Sequence, residues 1–540
     1  MKKLLALILA TVMLLSLVAC GQTKPSGDAT TESTEAITAA TEGLKQEVTM
    51  DATKTYKKEI TMSTWAPISD IDPTAGLQNT VHKVYQNFVY NQLVYLDLNT
   101  GEFRGELAAE FKVESPSSYY FKLRDDVKFA NGEPLTAEDV KYSLLERPRD
   151  ESTAERPAKV TLYTWIADIE IINDLELRIT TPNPDAEFLY RIYKGDSSIF
   201  NKDAVKADPE NGWKIGTGGF ICESIAASDH VVLTKVADSW VWKVEGETPT
   251  EKVTLKYVPE NSIASCQAGE VANALCGIAD INGYLKDDPN VETYFFAGLA
   301  RIYYCYNVKA DGDSILKDDV YLRQAISYAI NRDDFIDFAT DGTSHVALST
   351  WGEKQAGYFE DYEKPYGYDL EYAKELMAKS TYKEGTVLRI ATLKSRADQA
   401  ALIAENLKAL GIVSEITAYD STGGSAIRQA GEGYDMYLTD DTYGLNATGK
   451  MGWWTTGTKT SGTHVDNAEI KELFTKLSGA TTTEEAKEYA KQIQILEKEI
   501  CTYVPLCYMM TGVMWAKGVS GLDWSIDTNF DWHHVMWEEV

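Results

Sequence analysis

The sequence lacks the residue patterns that enzymes use for metal-dependent or nucleophilic catalysis. It contains neither H-E-x-x-H nor G-x-S-x-G, the spacings typical of zinc proteases and serine hydrolases. Among its histidines only the adjacent pair has any metal-ligand spacing, and adjacent histidines near a C-terminus are typical of surface or packing residues. The sequence therefore predicts no metal ion, no cofactor and no enzymatic activity. The histidines are His82, His230, His345, His464, His533 and His534.

Positive charge is also scarce. Lysine and arginine number 52 against 82 acidic residues, which gives a formal net charge of −30. Because phosphate binding needs clustered positive charge, this balance argues against nucleic acid as a partner. Hydrophobic residues at 44% and charged residues at 25% are typical of a soluble globular protein and exclude wholesale disorder and a polytopic membrane protein.

Cysteine is sparse, with seven residues and no C-x-x-C pair. Cys20 has a separate interpretation, given below. An extracytoplasmic location permits disulfides, but a chain of this size does not depend on them. We therefore expect mostly buried thiols, with Cys266–Cys276 as the pair best placed for a bridge. The other cysteines are Cys222, Cys305, Cys501 and Cys507.

The N-terminus has the layout of a secretion signal. Two lysines precede an apolar run over residues 4–18, which is too short for a comfortable membrane span. The run ends in Leu17-Val18-Ala19-Cys20-Gly21, which resembles the bacterial lipobox. The resemblance implies that residues 1–19 are removed and that Cys20 is lipidated; an ordinary cleaved signal with an incidental cysteine is the alternative. Residues 20–57 are polar and predict a flexible tether.

Two short patterns come close to chemical motifs. Residues 444–450 have the spacing of a phosphate-binding P-loop, but Met451 replaces the hydroxyl residue that would hold Mg²⁺. The acid pair Asp440–Asp441 could serve a glycosidase if a second carboxylate lay opposite, and nothing in the sequence places one there. Solvated charges or a clamp for a ligand amine are the other interpretations of this pair.

The pattern of elements predicts an α/β protein. Alternating runs at residues 119–123, 231–236 and 253–258 indicate strands, and residues 169–180 indicate a hairpin around Asn173–Asp174. Ala400, Ile403, Leu407 and Leu410 form a helical stripe closed by Gly411. Helices interleaved with strands imply sheets covered on both faces, and two such lobes leave a cleft where ligands bind.

One long segment resembles a known family. Residues 119–140 (YYFKLRDDVKFANGEPLTAEDV) closely resemble the signature of the family 5 extracellular solute-binding proteins, which include oligopeptide- and dipeptide-binding subunits of ABC importers. Gly216-Thr-Gly-Gly-Phe220 and residues 320–333 are similar to further family segments, and the likeness extends over about residues 58–540. It implies a two-lobed periplasmic-binding-protein-like fold (type II, cluster C) with an extra small domain on lobe I.

The resemblance also implies domain boundaries. Lobe I is expected at residues 58–82, 197–302 and 506–540, the extra domain at 83–196 and lobe II at 303–505. Two crossing segments, near residues 301–307 and 502–507, would form the hinge about which the lobes close on a solute.

The candidate binding residues follow from the same likeness. Peptide-binding members use an acid after the strand that resembles residues 434–438 to hold the ligand ammonium, which suggests Asp441 first and Asp440 second. Loop tryptophans outside any helical stripe are candidates for the cleft wall, and Tyr85 and Arg301 are further candidates. The tryptophans are Trp65, Trp351 and Trp453.

The predicted function is capture of peptides in the interlobe cleft and delivery to an ABC permease. The protein is expected to be a monomer held at the membrane by its N-terminal lipid. Aromatic platforms also stack on sugar rings, so an oligosaccharide-binding subunit of the same transporter class is the first alternative. A secreted hydrolase is the alternative from a different class.

Overall fold

The computed structural model describes residues 50–68, 72–73, 80–98, 100–150, 162–448, 462–524 and 531–539. The segment containing Cys20 and the loop containing Trp453 lie outside these residues. The strands are β1 Glu59–Thr64, β2 Val94–Asp97, β3 Glu102–Gly105, β4 Ala108–Ser115, β5 Ser118–Leu123, β6 Asp168–Asn173, β7 Glu176–Thr180, β8 Phe220–Ala226, β9 His230–Lys235, β10 Lys252–Tyr257, β11 Asn273–Cys276, β12 Val291–Tyr306, β13 Val387–Leu393, β14 Val413–Tyr419, β15 Met436–Thr442, β16 Tyr503–Ala516, β17 Val519–Ser520 and β18 Met536–Trp537.

The helices are interleaved with these strands, as the alternating pattern predicts. They are α1 Thr80–Val89, α2 Ala137–Lys141, α3 Arg147–Asp150, α4 Leu189–Ile192, α5 Lys202–Ala207, α6 Trp240–Glu245, α7 Ser262–Gln267, α8 Ile278–Asp280, α9 Val320–Ala329, α10 Arg332–Thr340, α11 Leu370–Met377, α12 Ala397–Leu407, α13 Ser421–Ala430, α14 Ala468–Ser478 and α15 Thr483–Ile500.

Local sequence signals explain several of these boundaries. Before α2, the Asp139 carboxylate accepts hydrogen bonds from the backbone N–H (3.0 Å) and hydroxyl (2.6 Å) of Thr136, which satisfies a donor that the first helical turn leaves free. Thr482 caps α15 through a bond from the Glu485 N–H at 3.2 Å. Gly411 has φ +72° after α12, a left-handed conformation that glycine adopts without strain.

The strands form three larger sheets. One sheet has the order β1-β10-β9-β8 and another the order β4-β5-β7-β6. A six-stranded mixed sheet has the order β11-β16-β12-β15-β13-β14, with β13 parallel to β14 and β15. In β12, Tyr303 and Cys305 pack into one hydrophobic core while Tyr304 and Tyr306 pack into another, so this part of the sheet is covered on both faces.

The long strands β12 and β16 carry the chain from one half of the molecule to the other. The first core collects buried residues up to Leu299 and again from Tyr508 onward, joined by Ala347, Tyr443 and Leu445. The other two cores draw on residues 302–507. The chain thus passes from one core to another within or next to the two predicted hinge segments. The lobe boundaries stay a prediction, which this change supports.

The globular part begins a few residues earlier than predicted. Tyr56 forms a β-bridge with Glu538, and the Lys57 N–H donates to the Trp537 carbonyl at 2.8 Å. Lys57 also places its ammonium 3.2 Å from the centre of the Trp537 ring. Residues 55–57 are therefore fixed against the C-terminal segment.

The cysteines beyond Cys20 are free thiols, five of them buried and Cys276 half-buried. The expectation of mostly buried thiols is confirmed, whereas a Cys266–Cys276 bridge is not formed. Burial raises the pKa of both thiols to about 12, which keeps them protonated and unreactive. Within the described residues, no helix combines the length and apolarity needed to cross a bilayer.

Candidate functional site

A buried ion pair joins the neighbouring strands β12 and β15, at the point where β12 passes from one core to the next. Arg301 and Asp441 are directly opposite each other in the antiparallel ladder, and the Arg301 Nε lies 3.2 Å from the Asp441 Oδ1. The two side chains are only 1% and 4% exposed. Two charges withdrawn from water in this way must compensate each other, so the structure brings two of the predicted site residues together as partners.

Aromatic residues enclose this pair. The Tyr503 hydroxyl donates to the Asp441 Oδ2 at 3.1 Å, and the Tyr503 ring stacks on Tyr303 with centroids 4.2 Å apart. The Arg301 guanidinium lies 5.1 Å from the Tyr503 ring centre and 5.2 Å from that of Tyr443. These cation–π contacts stabilise the guanidinium in a site without bulk water.

The strands are irregular at this point. The pairing of β12 with β16 shifts register between Ala297 and Arg301 and again between Ile302 and Tyr303. Such irregularities interrupt the hydrogen-bond ladder and bend the strand locally. We name the region around Arg301, Asp441, Tyr443, Tyr503 and Tyr508 the junction.

A second acid, Glu497 on α15, lies beside the junction. Its carboxylate accepts a bond from the Thr350 hydroxyl at 2.5 Å. Burial raises the pKa of Glu497 to about 7, against smaller opposing effects of hydrogen bonding and of the Arg301 charge. Trp351, next to Thr350, is buried and stacks on Phe474 at 6.4 Å, so this predicted site residue also lies close to the junction.

Several polar atoms in the junction or next to it are buried without a hydrogen-bond partner among the described residues. They are the Arg301 Nη1, the Glu497 Oε1 and the hydroxyls of Tyr303 and Tyr508. Buried polar groups are usually satisfied, and leaving one unpaired costs about 1–3 kcal/mol. The junction therefore retains hydrogen-bonding capacity that the described residues leave unused.

Asp440 points away from Asp441, because neighbouring residues of a strand face opposite sides. Its Oδ1 pairs with the Arg396 Nε at 2.8 Å, and its side chain is 39% exposed. Arg396 also lies 3.4 Å from the Met509 sulfur. Asp440 is thus partly exposed, unlike Asp441 in the junction, whereas the Arg396 side chain is only 10% exposed.

The remaining predicted residues lie elsewhere. The half-buried Trp65 packs against Trp524 and Trp532, with ring centroids 6.0 and 6.3 Å away. Tyr85 is fully buried in the first core and contacts Tyr90 edge to face, which makes it a packing residue.

Glu187 makes a contact that the sequence does not suggest. Its carboxylate accepts hydrogen bonds from the backbone N–H groups of Ala447 and Thr448 and from the Thr448 hydroxyl. The Thr448 N–H contact measures 2.8 Å and joins residues 261 apart in the chain. Glu187 thereby ties the predicted extra domain to the segment that follows β15.

Comparisons with known proteins agree on one family. The family model described as "Bacterial extracellular solute-binding proteins, family 5 Middle" matches residues 102–463. "Heme-binding protein A" of Haemophilus influenzae is 24% identical over 82% of this chain and 85% of its own length. The "Dipeptide-binding protein" of Escherichia coli is 24% identical over 75% of each chain. The crystal structure of DppA from Helicobacter pylori in complex with peptide STSA shares the fold, with a TM-score of 0.68, 23% identity and coverage of 90% of this chain and 99% of that chain.

We expect Asp441→Asn to lower the free energy of unfolding by about 3–5 kcal/mol, because Arg301 is left buried without an opposite charge. Arg301→Met combined with Asp441→Asn should recover most of this loss, since both charges are then gone. Urea denaturation of the single and double variants measures the coupling. Glu405→Gln, which breaks an exposed ion pair with Lys408, should change stability by less than about 0.5 kcal/mol. Additive effects of the two junction changes would contradict the pairing.

We expect Glu497 to make stability depend on pH. Since its pKa is about 7 when folded against 4.5 ordinarily, the folded state holds a proton that the unfolded state has released. Stability therefore falls as pH rises from about 4.5 to about 7, by roughly 3 kcal/mol. Glu497→Gln should remove this contribution when urea denaturation at about pH 5 and about pH 8 is compared. An unchanged pH dependence in the variant would contradict the assignment.

Proposed function

The chain belongs to the family 5 bacterial extracellular solute-binding proteins, and on that premise we propose that it captures peptides between its lobes and delivers them to the permease of an ABC importer. The observation that carries the proposal is the family match over residues 102–463. A relative named for dipeptide binding and a shared fold with a peptide-bound protein support peptides as the solute. The protein acts by binding, without chemistry of its own.

The strands through the junction form the mechanical link in this proposal. Because β12 and β16 pass between the cores and lose register near Arg301, bending there changes the angle between the lobes while each core stays intact. The Glu187 carboxylate, held by Ala447 and Thr448, is a second connection, between the predicted extra domain and the segment after β15. Closure then places the solute next to the junction.

The junction suits the backbone of an extended peptide. A peptide offers N–H donors and carbonyl acceptors at regular intervals, and the unpartnered hydroxyls of Tyr303 and Tyr508 and the Arg301 Nη1 complement them. Recognition through the backbone tolerates different side chains, since every residue supplies the same two groups.

The ends of the peptide require charged partners. Asp441 is already compensated by Arg301 and Tyr503, whereas Asp440 pairs with the largely buried Arg396 and is itself partly exposed. We therefore favour Asp440 over Asp441 as the acceptor of the ligand ammonium. A zwitterionic ligand could replace the internal pair by binding its ammonium to Asp440 and its carboxylate to Arg396.

We expect native mass spectrometry of the purified protein to show a series of bound peptides, and Asp440→Asn to weaken their binding at least tenfold, about 1.4 kcal/mol for one charge-assisted contact. Titration calorimetry with the identified peptides measures the change. Asp466→Asn, which removes an exposed acid paired with Lys471, serves as the matched control. Unchanged affinity would show that Asp440 is not part of the binding site. Bound masses spaced by hexose units would contradict peptides as the solute and indicate oligosaccharides.

We expect Cys20→Ser to release the protein from the cell. Lipid attachment requires the cysteine sulfur, so the variant should move from the membrane fraction to the medium or periplasm, and a radiolabelled fatty acid should no longer be incorporated. Cys222→Ser, which changes a thiol of the first core, should leave both properties unaltered. Retention of label by Cys20→Ser would contradict the proposed anchor.

A further inference from the structure

A group of metal-ligating side chains lies at the C-terminal end of α6, within the half of the molecule that holds the first core. Glu245 is the last residue of α6. Its Oε2 lies 3.0 Å from the His533 Nε2 and 3.5 Å from the His534 Nε2. Each residue offers one ligand atom, and these atoms lie within 4.8 Å of one another.

A turn directs the two adjacent imidazoles to the same side. The Val535 N–H donates to the Trp532 carbonyl at 3.0 Å, so His533 and His534 occupy the two central positions of a four-residue turn. The Trp242 ring packs beside both imidazoles, with centroids 6.1 and 5.8 Å away. The rings are thereby restrained while their Nε2 atoms converge on Glu245.

Asp531 contacts the ring nitrogen of His533 that faces away from Glu245. Its carboxylate contacts the Nδ1 of His533, whose side chain is almost fully buried. Histidine ligands of metals usually donate their other ring N–H to a carboxylate, which fixes the tautomer and directs the second nitrogen to the ion. In this group Asp531 would fill that supporting position, and Glu245 would supply the coordinating oxygen.

The separations between the Glu245 carboxylate and the two imidazoles suit a small tetrahedral ion. With bonds of about 2.0–2.2 Å to nitrogen and oxygen, neighbouring ligands of Zn²⁺ lie about 3.4 Å apart, close to the two separations measured here. Glu245 and His534 are 34% and 21% exposed, which leaves a path for the ion and room for a water as fourth ligand. Imidazole ligands favour such an ion over Mg²⁺ or Ca²⁺, which prefer oxygen.

We propose that Glu245, His533 and His534 bind Zn²⁺, with Asp531 as the positioning residue behind His533. The site shares no residue with the junction, because its ligands come from α6 and from the C-terminal segment. It joins two parts of the chain that are 288 residues apart, which is why the sequence alone predicts no metal there. A bound ion would fasten the C-terminal segment to α6 and stabilise the folded state by mass action.

The test uses the purified full-length protein without a polyhistidine tag, after treatment with EDTA and dialysis. Titration calorimetry with ZnCl₂ should show one ion per chain with a dissociation constant below about 10 µM, and excess Zn²⁺ should raise the thermal midpoint by a few degrees, about 2–4 °C. MgCl₂ at the same concentration should do neither.

Two variants decide whether these residues hold the ion. His534→Gln and Glu245→Gln change partly exposed side chains and should each weaken Zn²⁺ binding at least tenfold and abolish the thermal shift. His230→Gln alters a histidine paired with Asp229 on β9 and should bind like the wild type. Absence of one-to-one binding by the wild type, or unchanged binding by both site variants in the folded state, would overturn the proposal. Neither result bears on peptide capture, which is measured separately.

Discussion

The pairing of β12 with β15 and β16 is the constraint on which the rest of the structure depends. Sixteen residues of β12 and fourteen of β16 pass from one set of cores to the other. Each side chain of these strands must therefore fit the core that covers its face of the sheet. A shift by one residue would turn every side chain of β12 to the opposite face, and would move Arg301 away from Asp441.

An ion pair at this position is better explained by register than by stability. Well-packed hydrophobic residues of similar volume are often as stable as a buried pair, because both charges must be withdrawn from water. A hydrophobic pair, however, would tolerate neighbouring registers. Arg301 requires an acid opposite it, and Asp441 on β15 is that acid. The same carboxylate also accepts a hydrogen bond from Tyr503 on β16. One carboxylate therefore aligns three strands.

Features with local causes could be predicted from the sequence, and features with distant causes could not. The stripe of Ala400, Ile403 and Leu407 is buried as its spacing indicates, and Thr136 with Asp139 opens α2 as a cap. By contrast, Arg301 and Asp441 are 140 residues apart, and Glu187 is 261 residues from Thr448. An acid after a strand has the same pattern whether it faces a ligand or an arginine, and only the fold distinguishes these cases.

The segment that resembles the family signature contributes none of the residues of the junction. Residues 119–140 form most of β5, a turn in which Gly132 has φ +89°, and the capped start of α2. Their buried apolar side chains pack into the first core. The junction draws instead on β12, β15 and β16, whose charged and aromatic residues do not belong to that motif. A substitution in the junction therefore leaves the residues of this motif untouched. Relatives about 24% identical to this chain are named for solutes as different as heme and dipeptides, so membership of the family does not by itself name the solute of this chain.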